Sequence, residues 1–301
     1  MKQHFKFLSV FATIILLFVV AIPVKLLAQR PELIIPATHI AKSVIISPDD
    51  KWLVSAGGEG LKIWDNKTGS LLKNLAPGRK NNERFDAGRI NMAIDNASRL
   101  LAMQIEDTIY VFDFDKFTVT SSIKVNGKRT AMVFSPDGTE LFTGGINGEI
   151  YDTYVFEKIG LTNGKTTLLQ KIDVVTQATH QVTRLSVSPD GKDLLVYDQV
   201  LGGWLLDAAS GSIKKYFSDK LFLYPFGFLP NGNILAYGGE KEKVLNVQEL
   251  DRKTYQPLRK SKTLFKDEYV TATNNVTSYF SSSGKIGLMY QNNFLVFNPA
   301  D

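Results

Sequence analysis

Short apolar and β-branched runs alternate with polar turns along most of the chain, most clearly from Ser43 to Gly69. Three runs lie in this stretch, at Ser43–Ile46, Trp52–Ala56 and Leu61–Trp64. Runs of this length and composition are typical of β-strands. Pro and Asp follow the first run at Ser47–Asp50, where they suit a tight turn. The stretch therefore predicts a three-stranded meander that needs neighbours to bury both of its faces.

The same pattern returns five more times when each copy is anchored at the position of Pro48. The anchors are Pro48, Asn96, Pro136, Pro189, Pro230 and Ser282, at spacings of 48, 40, 53, 41 and 52 residues. Two positions before them lie Ile46, Ile94, Phe134, Val187, Phe228 and Phe280. Five positions after them lie Leu53, Leu101, Leu141, Leu194, Leu235 and, as an exception, Gly287. A period in the forties built from strands and turns predicts an all-β propeller, with one blade per copy and six blades.

A fourth strand follows the third in the full copies, as at Ser70–Leu75 and Ile213–Phe217. The last copy ends at Asp301 directly after its third strand, whereas Glu32–Pro36 forms a spare apolar run before the first copy. We therefore expect an N-terminal strand at Leu33–Ile35 to pair beside Phe294–Phe297 and complete the last of six four-stranded blades.

Two copies are longer than the others. The additional residues of the copy with the spacing of 53 lie at Tyr154–Asp173. They predict two lengthened strands around a turn at Thr162–Lys165. The additional residues of the copy with the spacing of 52 lie at Val247–Lys262, where they predict a charged hairpin through Asp251–Lys253. Because function concentrates in variable connections on a regular scaffold, we expect specific function at these two hairpins.

The first copy resembles the WD40 repeat, with Trp64-Asp65 followed by Thr68-Gly69 as its ending. The resemblance extends loosely over residues 31–301, and it implies a propeller that binds proteins or peptides. It also implies a hydrogen-bonded His, Ser, Asp and Trp network. The nearest counterparts in the first copy are His39, Ser55, Glu59 and Trp64, and His180 shares the register of His39.

The N-terminus carries a separate signal. Met1–Lys6 is basic, Phe7–Ile22 is apolar, and Pro23 and Ala28 follow before Gln29. This arrangement predicts a secretory signal peptide at residues 1–28 and a mature propeller at residues 29–301, exported to the periplasm or the extracellular space. An uncleaved N-terminal membrane anchor is the alternative, and it would also place the propeller outside the cytoplasm.

Charge and cysteine content narrow the function classes. The formal charge is +5, but Lys2, Lys6 and Lys25 belong to the leader, and 35 − 3 = 32 basic residues then face 30 acidic ones. A balanced surface argues against a nucleic-acid partner. The chain has no cysteine, which excludes disulfides, thiol nucleophiles and zinc–thiolate sites.

Few residue patterns suggest chemistry. Ile159–Thr166 is only superficially like a phosphate loop, since its glycine spacing is too short and a hairpin turn explains it. The acidic pairs Asp49-Asp50 and Asp113/Asp115 could bind calcium, but turn carboxylates commonly bind backbone N–H groups. His39 and His180 share a structural register, and the aromatic residues Tyr224, Phe226 and Tyr255 fit either a binding patch or packing between blades.

No nucleophile or metalloprotease motif occurs in the sequence. We therefore predict no catalytic, cofactor-binding or metal-binding residue. The expected function is that of an exported, monomeric scaffold that binds a protein or peptide. One alternative is a propeller enzyme or ligand binder of the lactonase or quinoprotein kind, to whose repeats Ile109–Val119 is similar. A second alternative is a periplasmic accessory propeller resembling the TolB type.

Overall fold

The computed structural model describes residues 41–57, 60–75, 91–146, 153–173, 182–198, 202–217, 224–238, 244–258, 262–266, 276–280, 286–290 and 293–297. The secondary structure that these residues form consists of 23 β-strands arranged in six sheets. The all-β prediction is therefore confirmed. No helix in this part of the chain is long and apolar enough to cross a membrane.

The first three sheets follow one another along the chain and contain four strands each. The first contains β1 (Ala41–Ile46), β2 (Trp52–Gly57), β3 (Gly60–Asp65) and β4 (Leu71–Leu75). The second contains β5 (Met92–Ile94), β6 (Leu100–Ile105), β7 (Thr108–Asp113) and β8 (Thr118–Lys124). The third contains β9 (Lys128–Phe134), β10 (Glu140–Ile146), β11 (Thr153–Gly160) and β12 (Thr166–Asp173).

Two further four-stranded sheets and one three-stranded sheet complete the described fold. The fourth contains β13 (Val182–Val187), β14 (Asp193–Asp198), β15 (Gly202–Asp207) and β16 (Ile213–Phe217). The fifth contains β17 (Tyr224–Phe228), β18 (Ile234–Gly238), β19 (Val244–Leu250) and β20 (Lys262–Lys266). The sixth contains β21 (Val276–Phe280), β22 (Ile286–Tyr290) and β23 (Asn293–Phe297).

Each sheet is an antiparallel meander in which consecutive strands pair, and it matches one predicted sequence copy. The four-stranded sheets are called blades one to five below. The predicted leader at residues 1–28 and the predicted closing strand at Leu33–Ile35 lie outside the described residues, so the blade count of the closed ring stays a prediction. The lengthened strands predicted within Tyr154–Asp173 are confirmed as β11 and β12, which have eight residues each.

The blades are arranged around a common inner side. The first strands of consecutive blades contact one another, β1 with β5, β5 with β9, β9 with β13 and β13 with β17. The fourth strand of each blade consequently lies at the outer edge. Side chains alternate between the two faces of a strand, so each blade can pack against both of its neighbours.

The hydrophobic core is divided into seams between neighbouring blades. Val54 and Ile63 of blade one pack in one cluster with Leu101 and Phe112 of blade two. The corresponding clusters join blades two and three, three and four, and four and five. Stability therefore comes from repeated seams rather than from one central core.

The register differs from the sequence prediction in the last two sheets. Leu53 pairs with Ile46 in the first blade, but Ile234 rather than Leu235 pairs with Phe228 in the fifth. In the sixth sheet, Ile286 rather than Gly287 pairs with Phe280. The connection between the first and second strands is one residue shorter in these two sheets. The paired position is thus apolar in all six sheets. The predicted equivalence of Leu235 and Gly287 with Leu53 was wrong by one residue.

The outer strand of every four-stranded sheet contains a β-bulge. In each case one extra residue interrupts the pairing with the third strand. The extra residues are Leu72, Thr120, Leu169, Lys214 and Leu264. A bulge increases the local twist of its strand.

Candidate functional site on the turn face

The two turns of each blade that contain most of its polar residues lie at the same end of the sheet. One joins the first and second strands, and the other joins the third and fourth. They touch directly, since the N–H of Asn66 donates to the carbonyl of Lys51 at 2.8 Å and the N–H of Ala208 donates to the carbonyl of Lys192 at 2.9 Å. We call this end of the molecule the turn face.

The first turn is held by a serine in three blades. The Ser47 hydroxyl donates to Asp49 at 2.7 Å and accepts the N–H of Trp52 at 2.9 Å. Equivalent bonds occur at Ser135 and Ser188, with Asp137 and Asp190 as the acceptors. The carboxylates of these turns thus bind their own turn, which agrees with the structural reading of Asp49.

The second turn is held by an aspartate at the end of the third strand. The Asp65 carboxylate accepts the N–H groups of Lys67 and Thr68 and the Thr68 hydroxyl at 3.0, 2.6 and 2.8 Å. The bonds from Thr68 lower the pKa of the Asp65 carboxyl. Asp207 and Asp251 cap their turns in the same way. The Asp of the Trp-Asp ending is therefore a turn cap.

The second residue of this second turn reaches the preceding blade. Phe114 stacks on Trp52 of blade one, with ring centroids 5.5 Å apart and an angle of 5° between the planes. Leu161 packs against the cluster between blades two and three, and Ala208 is buried in the cluster between blades three and four. Three of these positions are apolar wedges, but in blade five the same position is Arg252.

Arg252 replaces the apolar wedge with charge. Its guanidinium donates to Asp190 at 2.9 Å, to Asp193 at 2.5 Å and to the Ser188 hydroxyl at 3.3 Å, all in blade four. It also lies 5.7 Å from the centroid of the Phe228 ring. Arg252 holds the pKa of Asp190 far below its ordinary value. Blade five is thereby tied to the Ser-Pro-Asp-Gly turn of blade four.

Lys214 extends this network into the outer strand of blade four. It pairs with Asp193 at 2.5 Å and with Asp207 at 2.8 Å. The contact with Lys214 lowers the pKa of Asp207. Burial disfavours the charged form of Lys214, but its hydrogen bonds to Asp193 and Asp207 outweigh this effect and raise the pKa of Lys214. Lys214 and Arg252 thus balance most of the charge of the three carboxylates, which suits a structural joint.

The charged hairpin predicted at Val247–Lys262 therefore contributes to a seam. Its turn runs from Asp251 to Gln256 and is extended by a bridge between Leu250 and Pro257. Tyr255 packs edge-on against Phe217 of blade four, with centroids 5.9 Å apart, and is not part of an open aromatic patch. The side chains of Tyr224 and Phe226 lie outside the described residues.

Two further polar pairs are buried toward the opposite end of the sheets. Arg129 is fully buried, and its guanidinium binds the Glu157 carboxylate at 2.6 Å. The backbone N–H of Arg129 donates to the side-chain oxygen of Gln104 in blade two. The Tyr154 hydroxyl donates to the buried Asp198 at 2.5 Å. Burial, and then this bond, raise the pKa of Tyr154. The sequence pattern gave no signal for these pairs, since each joins residues from different strands.

Only part of the predicted WD40-type network lies within the described residues. The indole N–H of Trp64 donates to the Ser55 hydroxyl at 2.8 Å, whereas His39, Glu59 and the register-sharing His180 lie outside the described residues. In blade three the position of Trp64 is taken by Ile159, which pairs with Leu141 as Trp64 pairs with Leu53. The equivalent of Ser55 is then Thr143, whose buried hydroxyl has no hydrogen-bond partner in the part of the chain that the structure describes.

The residues Ile159–Thr166 form the end of β11, a turn and the start of β12. The Asn163 side chain accepts the N–H of Lys165 at 2.9 Å, and Gly164 has a φ of 65°. The hairpin-turn reading is confirmed. Within the described part of the chain, no group of three or more His, Asp or Glu side chains is arranged to hold a metal ion.

Comparisons with known proteins agree with this architecture. The hydrazine synthase of Kuenenia stuttgartiensis has a similar structure, with a TM-score of 0.54 and 15% sequence identity over 85% of this chain and 77% of that chain. At this identity the likeness concerns the fold alone. Together with the radially packed sheets, it defines the protein as a β-propeller.

Sequence comparisons match two parts of the chain to known proteins. The family model described as WD domain, G-beta repeat matches residues 36–65. A stretch of 110 residues, 36% of this chain, is 26% identical to Protein SLOW WALKER 1 of Arabidopsis thaliana. The alignment spans about a fifth of that protein, 20% of its length. The first blade is therefore similar to a WD40 repeat.

Proposed function

We propose that this WD40-repeat propeller is an exported scaffold that binds a protein or peptide partner and performs no catalysis. The observation that supports it is the set of wedges on the turn face. Phe114, Leu161, Ala208 and Arg252 each fix one blade against the blade before it. Loops on such a fixed framework keep their relative positions.

A rigid turn face favours the binding of a partner. Binding costs free energy for every group that must be ordered, so a surface that is already ordered retains more of its contact energy. The Ser, Asp and Arg side chains of the turns already bind one another, and exposed residues such as Lys67, Lys192 and Lys253 stand on this fixed base. Shape and charge complementarity on the turn face would then select the partner.

The proposal is tested with the tagged mature chain, expressed in its own host and recovered from the cell envelope. A captured partner is purified, and its binding to the propeller is measured by titration calorimetry. A turn-face variant carrying K67E and K192E is compared with a control carrying K128E and K171E, two exposed residues away from these turns. We expect the first variant to lose affinity about tenfold or more and the control to bind normally.

Two outcomes would contradict the proposal. Equal loss of affinity in both variants would show that net charge rather than the turn face matters. Recovery of the chain with a bound metal or small molecule, turnover of a lactone or related substrate, and no reproducible protein partner would favour the enzyme alternative instead. Fractionation of the host places the protein: recovery in the cytoplasm would remove the exported part of the proposal.

A further inference from the structure

Four asparagine residues of the chain are followed directly by glycine. They are Asn126, Asn147, Asn163 and Asn231. In such a pair the backbone nitrogen of the glycine can attack the side-chain carbonyl carbon of the asparagine, because glycine has no Cβ to hinder the approach. Asn147 lies outside the described residues, and the structure describes the other three. These three differ in the hydrogen bonds of the two groups that would react.

In blade three, Asn163 and Gly164 are held in the turn between β11 and β12. The side-chain oxygen of Asn163 accepts the N–H of Lys165 at 2.9 Å. The N–H of Gly164 donates to the carbonyl of Gly160 at 2.8 Å. Both groups that would react are therefore bound within the turn, and these hydrogen bonds must break before the glycine nitrogen can attack.

In the first turn of blade five, Asn231 and Gly232 are held more firmly. The Asn231 side chain accepts the N–H of Asn233 at 3.0 Å and donates to the Glu249 carboxylate at 2.9 Å. The N–H of Gly232 donates to the carbonyl of Leu229 at 2.8 Å. The asparagine side chain must lose both of its partners before it can turn toward the backbone nitrogen.

The connection between blades two and three contains a pair that differs from both. Asn126 is exposed there, and Gly127 has a φ of 85°. In the part of the chain that the structure describes, neither the Asn126 side chain nor the N–H of Gly127 has a hydrogen-bond partner. Only the backbone carbonyls are bound, since that of Asn126 accepts the Arg129 guanidinium at 2.8 Å and that of Gly127 accepts the Gln104 amide at 3.2 Å. The reacting groups can therefore meet without breaking a hydrogen bond.

We infer that Asn126 is the site at which the folded protein deamidates spontaneously. The nitrogen of Gly127 bonds to the side-chain carbonyl carbon of Asn126 and gives up its proton, and the side-chain nitrogen of Asn126 leaves as ammonia. Water then opens the resulting five-membered imide at one of its two carbonyls, which gives aspartate or isoaspartate. The reaction needs no reactant other than water, and it does not depend on the proposed function.

The isoaspartate product changes the joint between blades two and three. In isoaspartate the main chain runs through the former side chain, so it gains one carbon atom at residue 126. The backbone carbonyls that bind Arg129 and Gln104 then lose their present spacing. Because Arg129 is fully buried, a weakened bond at its guanidinium is not replaced by water. Deamidation therefore loosens this seam as the protein ages.

Ageing of the purified full chain tests the site. The folded protein and a urea-unfolded reference are incubated in parallel at mildly alkaline pH, and peptide mass spectrometry quantifies deamidation at each asparagine. In the folded protein we expect Asn126 to react about tenfold faster than Asn163 or Asn231, whose hydrogen bonds must first open. In urea the three rates should be similar. Equal rates in the folded protein, or a faster reaction at Asn163 or Asn231, would overturn the inference.

The N126Q variant tests the effect on the joint. It removes the reactive asparagine without removing a hydrogen bond, since the Asn126 side chain has no partner among the described residues. Freshly purified wild type and N126Q should unfold at the same temperature. After ageing, the wild type should unfold several degrees below N126Q. A fully deamidated wild type that still unfolds together with aged N126Q would contradict the loosening of the seam.

Discussion

The indole N–H of Trp64 donates to the hydroxyl of Ser55, 2.8 Å away, in the buried interior of blade one. The S55A variant removes the acceptor and leaves a buried N–H group without a partner. We expect a loss of about 1 to 2 kcal/mol in the free energy of unfolding. Urea denaturation followed by tryptophan fluorescence measures it, and an unchanged midpoint would show that Trp64 finds another acceptor.

Blade three provides the reverse case. Thr143 stands at the position of Ser55, but Ile159 replaces the tryptophan, and among the described residues the Thr143 hydroxyl has no hydrogen-bond partner. T143V keeps the shape of the side chain and removes the unsatisfied group, so we expect a gain of about 1 kcal/mol. The measurement is the same urea titration, and a loss of stability would indicate a hydrogen bond that the valine cannot make.

Left-handed backbone conformations offer a local test at the first turn. Asp50 has a φ of 59°, at the position where Gly191 has a φ of 71° in blade four. Because glycine adopts this conformation without a steric penalty, D50G should stabilise the protein by about 0.5 kcal/mol. G191A should have the opposite sign. Thermal unfolding of both variants checks the prediction, and the same sign in both would refute it.

Two glycines in the second turns of neighbouring blades distinguish the cost of backbone strain from the cost of a steric clash. A Cβ on Gly211 would lie 2.2 Å from the carbonyl oxygen of Leu169 in the preceding blade, whereas a Cβ on Gly164 would meet nothing within 4 Å. Both residues have positive φ, 75° and 65°. G164A should therefore cost only about 1 kcal/mol of backbone strain, and G211A several times more. Comparable melting temperatures would mean that the seam can shift to accept a methyl group.

The ion pair between blades four and five predicts a pH dependence. Arg252 lowers the pKa of Asp190 below its ordinary value of 3.8, so the pair stabilises the folded state above that pH, and the stabilisation disappears as the pH falls through the lowered value. R252Q should cost about 2 kcal/mol near neutral pH, because Asp193 is left buried with one cation fewer.

The difference between R252Q and the wild type should shrink in acid, because the contribution of the Arg252–Asp190 pair is lost progressively as the pH falls below 3.8. Denaturant titrations at about pH 7 and about pH 2 measure it, with K192Q as an exposed control in the adjacent turn. A gap that is constant with pH would indicate that Arg252 acts through its packing on Phe228 rather than through its charge.

Much of the fold follows from the sequence because strand and turn patterns are local. Alternating apolar runs located the four strands of blade one to within two residues, and the Ser-Pro-Asp-Gly turns located the corresponding connections of blades three and four. The lengthened β11 and β12 were also predictable. The register of the fifth and sixth sheets was not, since a one-residue deletion in a turn shifts the pairing without removing the apolar pattern around Leu235 and Gly287.

The joints between blades could not be predicted from the sequence. Nothing in the sequence near Arg252 indicates that its partners are Asp190 and Asp193, which lie about sixty residues earlier and in another sheet. Within blade three, Arg129 and Glu157 also pair although the whole of β10 separates them in the sequence. Charged residues at a turn suggest a solvated surface, and only the packing of neighbouring blades shows which of them form joints.

The bulges of the outer strands affect how copies of the protein behave when they are concentrated. A straight edge strand offers an unbroken row of backbone donors and acceptors on which a strand of another molecule can add. The extra residue at Leu72, Thr120, Leu169, Lys214 or Leu264 interrupts that row once in each blade. The perimeter of the disc therefore resists edge-to-edge growth into fibres, even though every blade ends in an edge strand.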